Sequence, residues 1–138
     1  MTVKSRLLEL LEQHKGETLS GEDIGRELSC TRAAVWKAVN SLRQEGYPIE
    51  AGPNKGYMLA RESNLISAEG IRLFLEDPQV EIKIFDAISS TNLEARQLAV
   101  SGMAGHGSFV VAMEQTAGRG RRGRGFYSPK GSGIYLSV

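Results

Sequence analysis

The chain has 138 residues, of which 41% are hydrophobic, and its formal net charge at pH 7 is +1. This length suits one domain, or one small domain and part of another, and no apolar run approaches the roughly 18 residues of a membrane-spanning helix. One cysteine cannot form a disulfide framework, and the N-terminus lacks the apolar core of a signal peptide. We therefore expect a cytoplasmic protein without a membrane partner.

Apolar residues recur at helical spacing in three segments of the first 45 residues. The leucines between Leu7 and Leu11 define a first helix, and Ser20 can cap a second helix that ends near Leu28. A third helix is predicted from Arg32 to about Glu45. Because only residues 29–31 separate the second helix from the third, the pattern is typical of a helix-turn-helix.

A predicted β-hairpin follows, with strands near residues 49–51 and 57–59, so residues 1–61 are predicted to form a winged helix-turn-helix domain. Residues 31–61 contain five basic and two acidic residues, as a DNA-reading face requires. The residues expected to contact DNA are Ser20, Arg32, Ala33, Trp36, Lys37 and, at the wing tip, Lys55. The alternative is a protein-interaction module in which Trp36 only packs on a neighbour.

The composition changes after a polar linker, residues 62–66: residues 62–114 contain three basic and eight acidic residues. A short helix after Ser67, a strand at residues 80–85, a helix from about Asn92 to Val100, a strand around Val110 and a strand at residues 134–138 are predicted next. Residues 67–138 therefore form a second, mixed α/β domain, and the fold class is α+β. Since its last strand has nothing after it to pair with, we expect this domain to be incomplete.

A loop rich in glycine and arginine joins the last two predicted strands, and it reads Q-T-A-G-R-G-R-R-G-R-G-F-Y-S-P-K-G-S-G from Gln115 to Gly133. It contains four arginines and one lysine, and no acidic residue follows Glu114. Glycines let backbone N–H groups approach a ligand, and arginines add permanent charge that suits phosphate. The pattern favours a phosphate- or nucleotide-binding loop; the alternatives are a disordered nucleic-acid arm and an inert solvated loop.

The order of these motifs resembles that of the bifunctional biotin-protein ligases that also repress biotin operons. A winged helix is followed by Ser90-Thr-Asn92, His106-Gly107, the run from Glu114 to Arg124, and Ser128-Pro129, so the match covers essentially the whole chain. The resemblance implies a ligase that forms biotinyl-5'-adenylate from biotin and ATP and transfers biotin to a lysine of a biotin carboxyl carrier protein. It also implies a biotin-dependent repressor that binds operator DNA, as a homodimer when the adenylate is bound.

The resemblance also implies roles for individual residues. It assigns biotin binding to Ser90, Thr91, Asn92, Gln115, Arg119, Gly120 and Arg121, with Arg119 and Arg121 as the catalytic residues. It assigns ATP or adenylate binding to Gly118, Arg122, Arg124 and Phe126, the last at a position where the family often has tryptophan. Mg²⁺ is expected with ATP, but no protein ligand is identifiable, and Cys30, His14 and His106 do not make a metal site.

The family carries a catalytic lysine on a later strand and a small β-barrel domain after it, and neither is present in these 138 residues. We therefore expect the chain to be the N-terminal portion of a ligase, with a winged helix-turn-helix and the start of the catalytic domain, and to be inactive alone. Two alternatives remain: a biotin-sensing repressor without ligase activity, and a nucleic-acid-binding protein whose Gly/Arg loop is a contact surface.

Overall fold

Thr2, Ser20 and Thr31 each cap a helix in the computed structural model of the chain, which describes residues 1–52, 54 and 56–138. The side-chain oxygen of each accepts a hydrogen bond from the backbone N–H three residues later, which satisfies a donor that the helix itself leaves free. The helices are α1 (Val3–Gln13), α2 (Gly21–Glu27) and α3 (Arg32–Gln44).

The apolar faces of these helices and a β-hairpin form the core of the first compact unit, Met1–Leu75. Strand β1 (Ile49–Gly52) pairs antiparallel with β2 (Gly56–Leu59), and a bridge between Leu19 and Tyr57 attaches the hairpin to the segment before α2. Leu11, Val39 and Leu59 have no exposed surface. The predicted winged helix-turn-helix is confirmed.

A short helix, α4 (Ala68–Arg72), packs against α1 within this first unit. The Ser5 hydroxyl donates to the Glu69 carboxylate at 2.6 Å, and the Ser67 hydroxyl donates to Glu12 at 3.3 Å. Burial raises the pKa of the nearby Tyr47 phenol, and the charge of Glu69 raises it further. This helix is predicted from the sequence as part of the second domain, whereas in the structure it packs on α1. The domain limits stay a prediction.

The second unit, Glu76–Val138, contains a three-stranded sheet in the order β3-β4-β5. Strands β3 (Ile82–Phe85) and β4 (Phe109–Ala112) run parallel, as a helical crossover allows, and α5 (Thr91–Val100) is that crossover. Strand β5 (Tyr135–Ser137) is antiparallel to β4, and α5 packs on both. The α+β class with a mixed second part is confirmed.

Within the described residues, no helix combines the length and the apolar character that crossing a membrane requires.

Two glycines of the first unit provide a matched test of its packing. Gly46 and Gly56 both have positive φ, +94° and +86°, but a Cβ at Gly46 would meet nothing within 4 Å, whereas a Cβ at Gly56 would strike the carbonyl of Leu19. We expect Gly46→Ala to lower the free energy of unfolding by about 1–2 kcal/mol, the cost of the backbone conformation alone. Gly56→Ala should lower the free energy of unfolding by about 1–3 kcal/mol more than Gly46→Ala, because the backbone at Leu19 must also move. Urea unfolding of both variants measures the difference, and equal losses would contradict this packing.

Candidate functional site

Parallel pairing continues beyond β3 and β4 and brings two predicted motifs together. Ile88 forms a parallel bridge with Gln115, and the N–H of Ala117 donates to the carbonyl of Ser89 at 2.8 Å. Ser90 follows as the N-cap of α5, where its hydroxyl oxygen accepts from the N–H of Leu93 at 3.4 Å. The Ser90-Thr-Asn92 motif and Gln115 are therefore neighbours because the strands that carry them run side by side.

The carboxamide of Gln115 is bonded at both ends. Its Oε1 accepts from the backbone N–H of Thr91 at 2.8 Å and from the Thr91 hydroxyl at 3.1 Å, while Nε2 donates to Oγ of Ser128 at 2.9 Å. A backbone N–H can only donate, so the bond to Thr91 fixes which end of the amide faces α5. One Nε2 hydrogen has no assigned partner among these bonds and can serve a ligand.

Ser137, in β5, completes the polar group on the other side of Thr91. Its hydroxyl lies 2.7 Å from Oδ1 of Asn92 and 2.9 Å from Oγ1 of Thr91. Ser137 is not among the site residues predicted from the sequence. The available sequence signal is a single serine within the strand I-Y-L-S-V. In the structure Ser137 is 8% exposed.

These side chains line a cleft of about 280 Å³, which we call the neutral cleft. Ser90, Thr91, Asn92 and Gln115, all predicted from the sequence, lie in its wall together with Arg119 and Phe126. Apart from Arg119, its polar lining consists of hydroxyl and amide groups. The cleft can therefore bind an uncharged polar group through donors and acceptors on several sides.

A second cleft, of about 420 Å³, lies beside the first and shares Asn92 and Arg119 with it. We call it the arginine cleft; its lining residues are Asn92, Leu93, Arg96, Arg119, Gly120 and Arg121. Of the predicted biotin-binding residues, Gly120 and Arg121 line this cleft and not the neutral one. Arg96, which the sequence analysis does not single out, supplies its third guanidinium.

The glycine-arginine run folds back on itself as a short hairpin, residues 118–126. Arg119 bridges to Gly125, the N–H of Gly120 donates to the carbonyl of Arg124 at 2.7 Å, and the N–H of Phe126 donates to the carbonyl of Gly118 at 2.8 Å. A 3₁₀ turn, Arg121–Gly123, forms the tip. The arrangement differs from a disordered arm because backbone groups inside the run pair with one another.

The remaining predicted ligand residues lie along this hairpin. Position 118 requires a glycine because neighbouring atoms lie too close for a side chain. A Cβ there would lie 2.7 Å from Oγ of Ser128 and still closer to the carbonyl of Phe126. Arg122 and Arg124 are exposed near the tip, and Phe126 presents a 56% exposed ring. The hairpin thus directs Arg119 and Arg121 to the arginine cleft, while Arg122 and Arg124 line neither cleft.

In the first unit, most of the predicted DNA-contacting residues are solvent-accessible. Ala33, Trp36 and Lys37 are exposed on α3, with Trp36 at 61%. Lys55 lies outside the described residues. These exposed side chains share one helix, as direct reading of a DNA groove requires.

Two predicted DNA-contacting residues already have protein partners. The Arg32 guanidinium donates to Oε2 of Glu22 at 2.6 Å, and the Ser20 hydroxyl caps α2 and donates to Asp23 at 2.6 Å. Arg26 also pairs with both acids. Glu22 would therefore compete with a phosphate for the Arg32 guanidinium.

The part of the chain that the structure describes contains no group of three or more His, Cys, Asp or Glu residues that could hold a metal ion.

Comparison with known proteins finds similarity in two segments of the chain. Residues 3–58 match the HTH domain, and residues 84–138 match the Biotin/lipoate A/B protein ligase family. Relatives named "Bifunctional ligase/repressor BirA" align with 99% of the chain: those of Bacillus spizizenii and Bacillus subtilis are 41% and 40% identical to it over 139 residues, and that of Escherichia coli is 38% identical over 137. The chain spans 41–42% of the length of these relatives.

The Gln115 carboxamide provides a test of the site's framework. Gln115→Ala leaves the N–H of Thr91 without its acceptor and removes the donor to the Ser128 hydroxyl, which keeps its own bond to the carbonyl of Phe126. The free energy of unfolding should therefore fall by about 1–3 kcal/mol. Gln97→Ala is the control, because Gln97 is exposed on α5. Urea denaturation measures both variants, and a Gln115→Ala variant as stable as Gln97→Ala would show that the carboxamide does not hold these elements together.

Proposed function

Because the chain corresponds along its whole length to the N-terminal portion of the BirA-type bifunctional ligase/repressors, we propose that it forms part of a biotin-dependent transcriptional repressor and ATP-dependent biotin-protein ligase. The observation that carries this proposal is the pair of adjoining clefts. One is lined by neutral polar groups and the other by three arginines, and they meet at Asn92 and Arg119.

The two clefts fit the two ends of biotin. Its ureido ring is uncharged and needs neutral donors and acceptors, which Ser90, Thr91, Asn92 and Gln115 supply in the neutral cleft. Its carboxylate carries one negative charge and would lie towards Arg119, at the boundary with the arginine cleft. The ATP phosphates would occupy the arginine cleft, where guanidinium groups bind oxygens in pairs.

This placement supports a two-step reaction. A carboxylate oxygen of biotin bonds to the α-phosphorus of ATP as the bond from that phosphorus to the bridging oxygen breaks, and pyrophosphate leaves with the electron pair. Arg119 and Arg121 stabilise the charge that develops on the phosphate oxygens. The amine of an acceptor lysine then attacks the acyl carbon of biotinyl-5'-adenylate and displaces AMP.

The hairpin residues would hold the nucleotide. Gly118 and Gly120 let the backbone approach it, Arg122 and Arg124 extend the positive charge, and the exposed face of Phe126 can stack on adenine. Mg²⁺ would enter on the ATP phosphates, which supply its oxygen ligands. The acceptor would be a biotin carboxyl carrier protein domain, and the proposed repressor is a cytoplasmic protein that dimerises when the adenylate is bound.

The first unit would bind operator DNA. We predict that replacing Arg32 and Lys37 with alanine weakens binding to a labelled DNA duplex of arbitrary sequence. It should also reduce the slope of log affinity against log salt concentration by about one unit for each phosphate that the variant no longer binds. Fluorescence anisotropy at several salt concentrations measures the slope. Lys4→Ala is the control, since Lys4 lies on α1 and pairs with Glu45 at the opposite end of α3. A slope unchanged from the parent chain would remove the DNA assignment from this face.

Asn92→Ala tests the biotin assignment. The substitution leaves a ureido group unpaired, while the Ser137 hydroxyl can still bond to Oγ1 of Thr91. Biotin affinity should therefore fall about 10-fold or more, with a smaller loss for ATP. Calorimetry with each ligand separately measures the two affinities, and Gln97→Ala serves as the control. Equal losses for the two ligands, or an unaltered chain that binds no biotin, would contradict the proposal. A preference for lipoate over biotin would instead indicate the other substrate class in the family's name.

A further inference from the structure

Arg96 is the one guanidinium of the arginine cleft that does not belong to the glycine-arginine run. It lies on α5 four residues after Asn92, a spacing that places both side chains on the same face of the helix. The other wall of the cleft is the hairpin, which carries Arg119 and Arg121. The cleft therefore has cationic groups from two separate elements, α5 and the hairpin.

The charge of this cleft is not compensated by neighbouring acids. No acidic residue lines the cleft, and none of the salt bridges within the described residues involves Arg96, Arg119 or Arg121. Both walls are also held in place: α5 is fixed by the Thr91–Gln115 bonds, and the hairpin by its own backbone pairing. Three uncompensated guanidinium groups on a fixed frame suit an anion with several charges better than a single carboxylate.

We propose that Arg96 binds the pyrophosphate portion of ATP and holds it as the leaving group. This assignment rests on the proposed function. The α-phosphate would lie at the boundary of the two clefts, near Asn92 and Arg119, so the β- and γ-phosphates extend into the arginine cleft towards Arg96. As the bond between the α-phosphorus and the bridging oxygen breaks, the electron pair moves onto pyrophosphate, and Arg96 stabilises that charge from the α5 side.

The chemistry of the ligand explains why an arginine is placed here. Pyrophosphate has oxygens on two phosphorus atoms, so cations on one wall can bind only part of its charge. A guanidinium on α5 binds the remaining oxygens through two parallel hydrogen bonds, which a lysine ammonium cannot provide in the same geometry. Arg96 is thus a binding residue for the leaving group, separate from the arginines that contact the α-phosphate.

Inorganic pyrophosphate is the probe, and its binding to the 138-residue chain is measured by calorimetry. We expect Arg96→Gln to weaken pyrophosphate binding about 10-fold and to leave biotin affinity within about 2-fold of the unaltered chain. Arg96→Lys keeps the charge but not the paired hydrogen bonds, so its affinity should be intermediate. Lys83→Gln is the charge-matched control: it removes one positive charge from the same unit, on β3, without touching the arginine cleft. Thermal unfolding of each variant checks that the fold is retained.

The outcomes separate this inference from the proposed function. Equal pyrophosphate affinities for Arg96→Gln and Lys83→Gln would overturn the role of Arg96, and so would an unaltered chain that binds no pyrophosphate. An equal loss of biotin and pyrophosphate affinity in Arg96→Gln would also overturn it, because it would indicate general damage to the site. If the chain binds pyrophosphate through Arg96 but binds no biotin, the anion site stands while the proposed ligase function fails.

Discussion

The two clefts of the second unit depend on the carboxamide of Gln115. This one side chain connects the start of α5, through Thr91, to the segment that follows the hairpin, through Ser128. The backbone of Gln115 bonds to Ser128 as well, so residue 115 fixes both the entry to the hairpin and its exit. Because the clefts share Asn92 and Arg119, one supplied by α5 and one by the hairpin, their common boundary exists only while these elements stay together. An amide suits this position since it donates at one end and accepts at the other without adding charge.

The glycines of the hairpin shape the arginine cleft in different ways. Gly118 permits close contact with Ser128, whereas Gly123, at a φ of +72°, permits the tip to turn. Arg122 adopts a left-handed conformation at a φ of +58°, which costs about 1–2 kcal/mol for a residue with a Cβ. The backbone hydrogen bonds of the hairpin are together large enough to offset this cost, at roughly 1 kcal/mol each. The glycines of this run are therefore explained by the turn that they allow, which exposes the arginines. Flexibility of the loop is not needed to explain the glycine content.

The sequence predicts the elements better than it predicts which of them meet. Capping residues and apolar spacing identify α1 to α3 because those signals are local. The alternation of apolar residues also identifies β3, although the predicted strand begins at residue 80, two residues before the observed start. The packing of α4 on α1 is missed because it depends on Ser5 and Glu69, which are 64 residues apart. Ser137 and Arg96 are missed for the same reason: a lone serine in a strand and a lone arginine on a helix become significant only when folding brings them to the clefts.

In the first unit, the strength of the ion pair between Arg32 and Glu22 determines whether Arg32 could still bind DNA. Arg32 and Glu22 are 74% and 61% exposed, and an ion pair in such a position is worth about 0–1 kcal/mol because water screens it. A phosphate contact releases a condensed counterion from the duplex and gains a charge-assisted hydrogen bond. In the proposed complex with DNA, the exchange of Glu22 for phosphate would therefore be favourable at low salt and less favourable as salt rises. Glu22 holds Arg32 at the start of α3 in the free chain, and breaking this pair would cost the proposed DNA contact little.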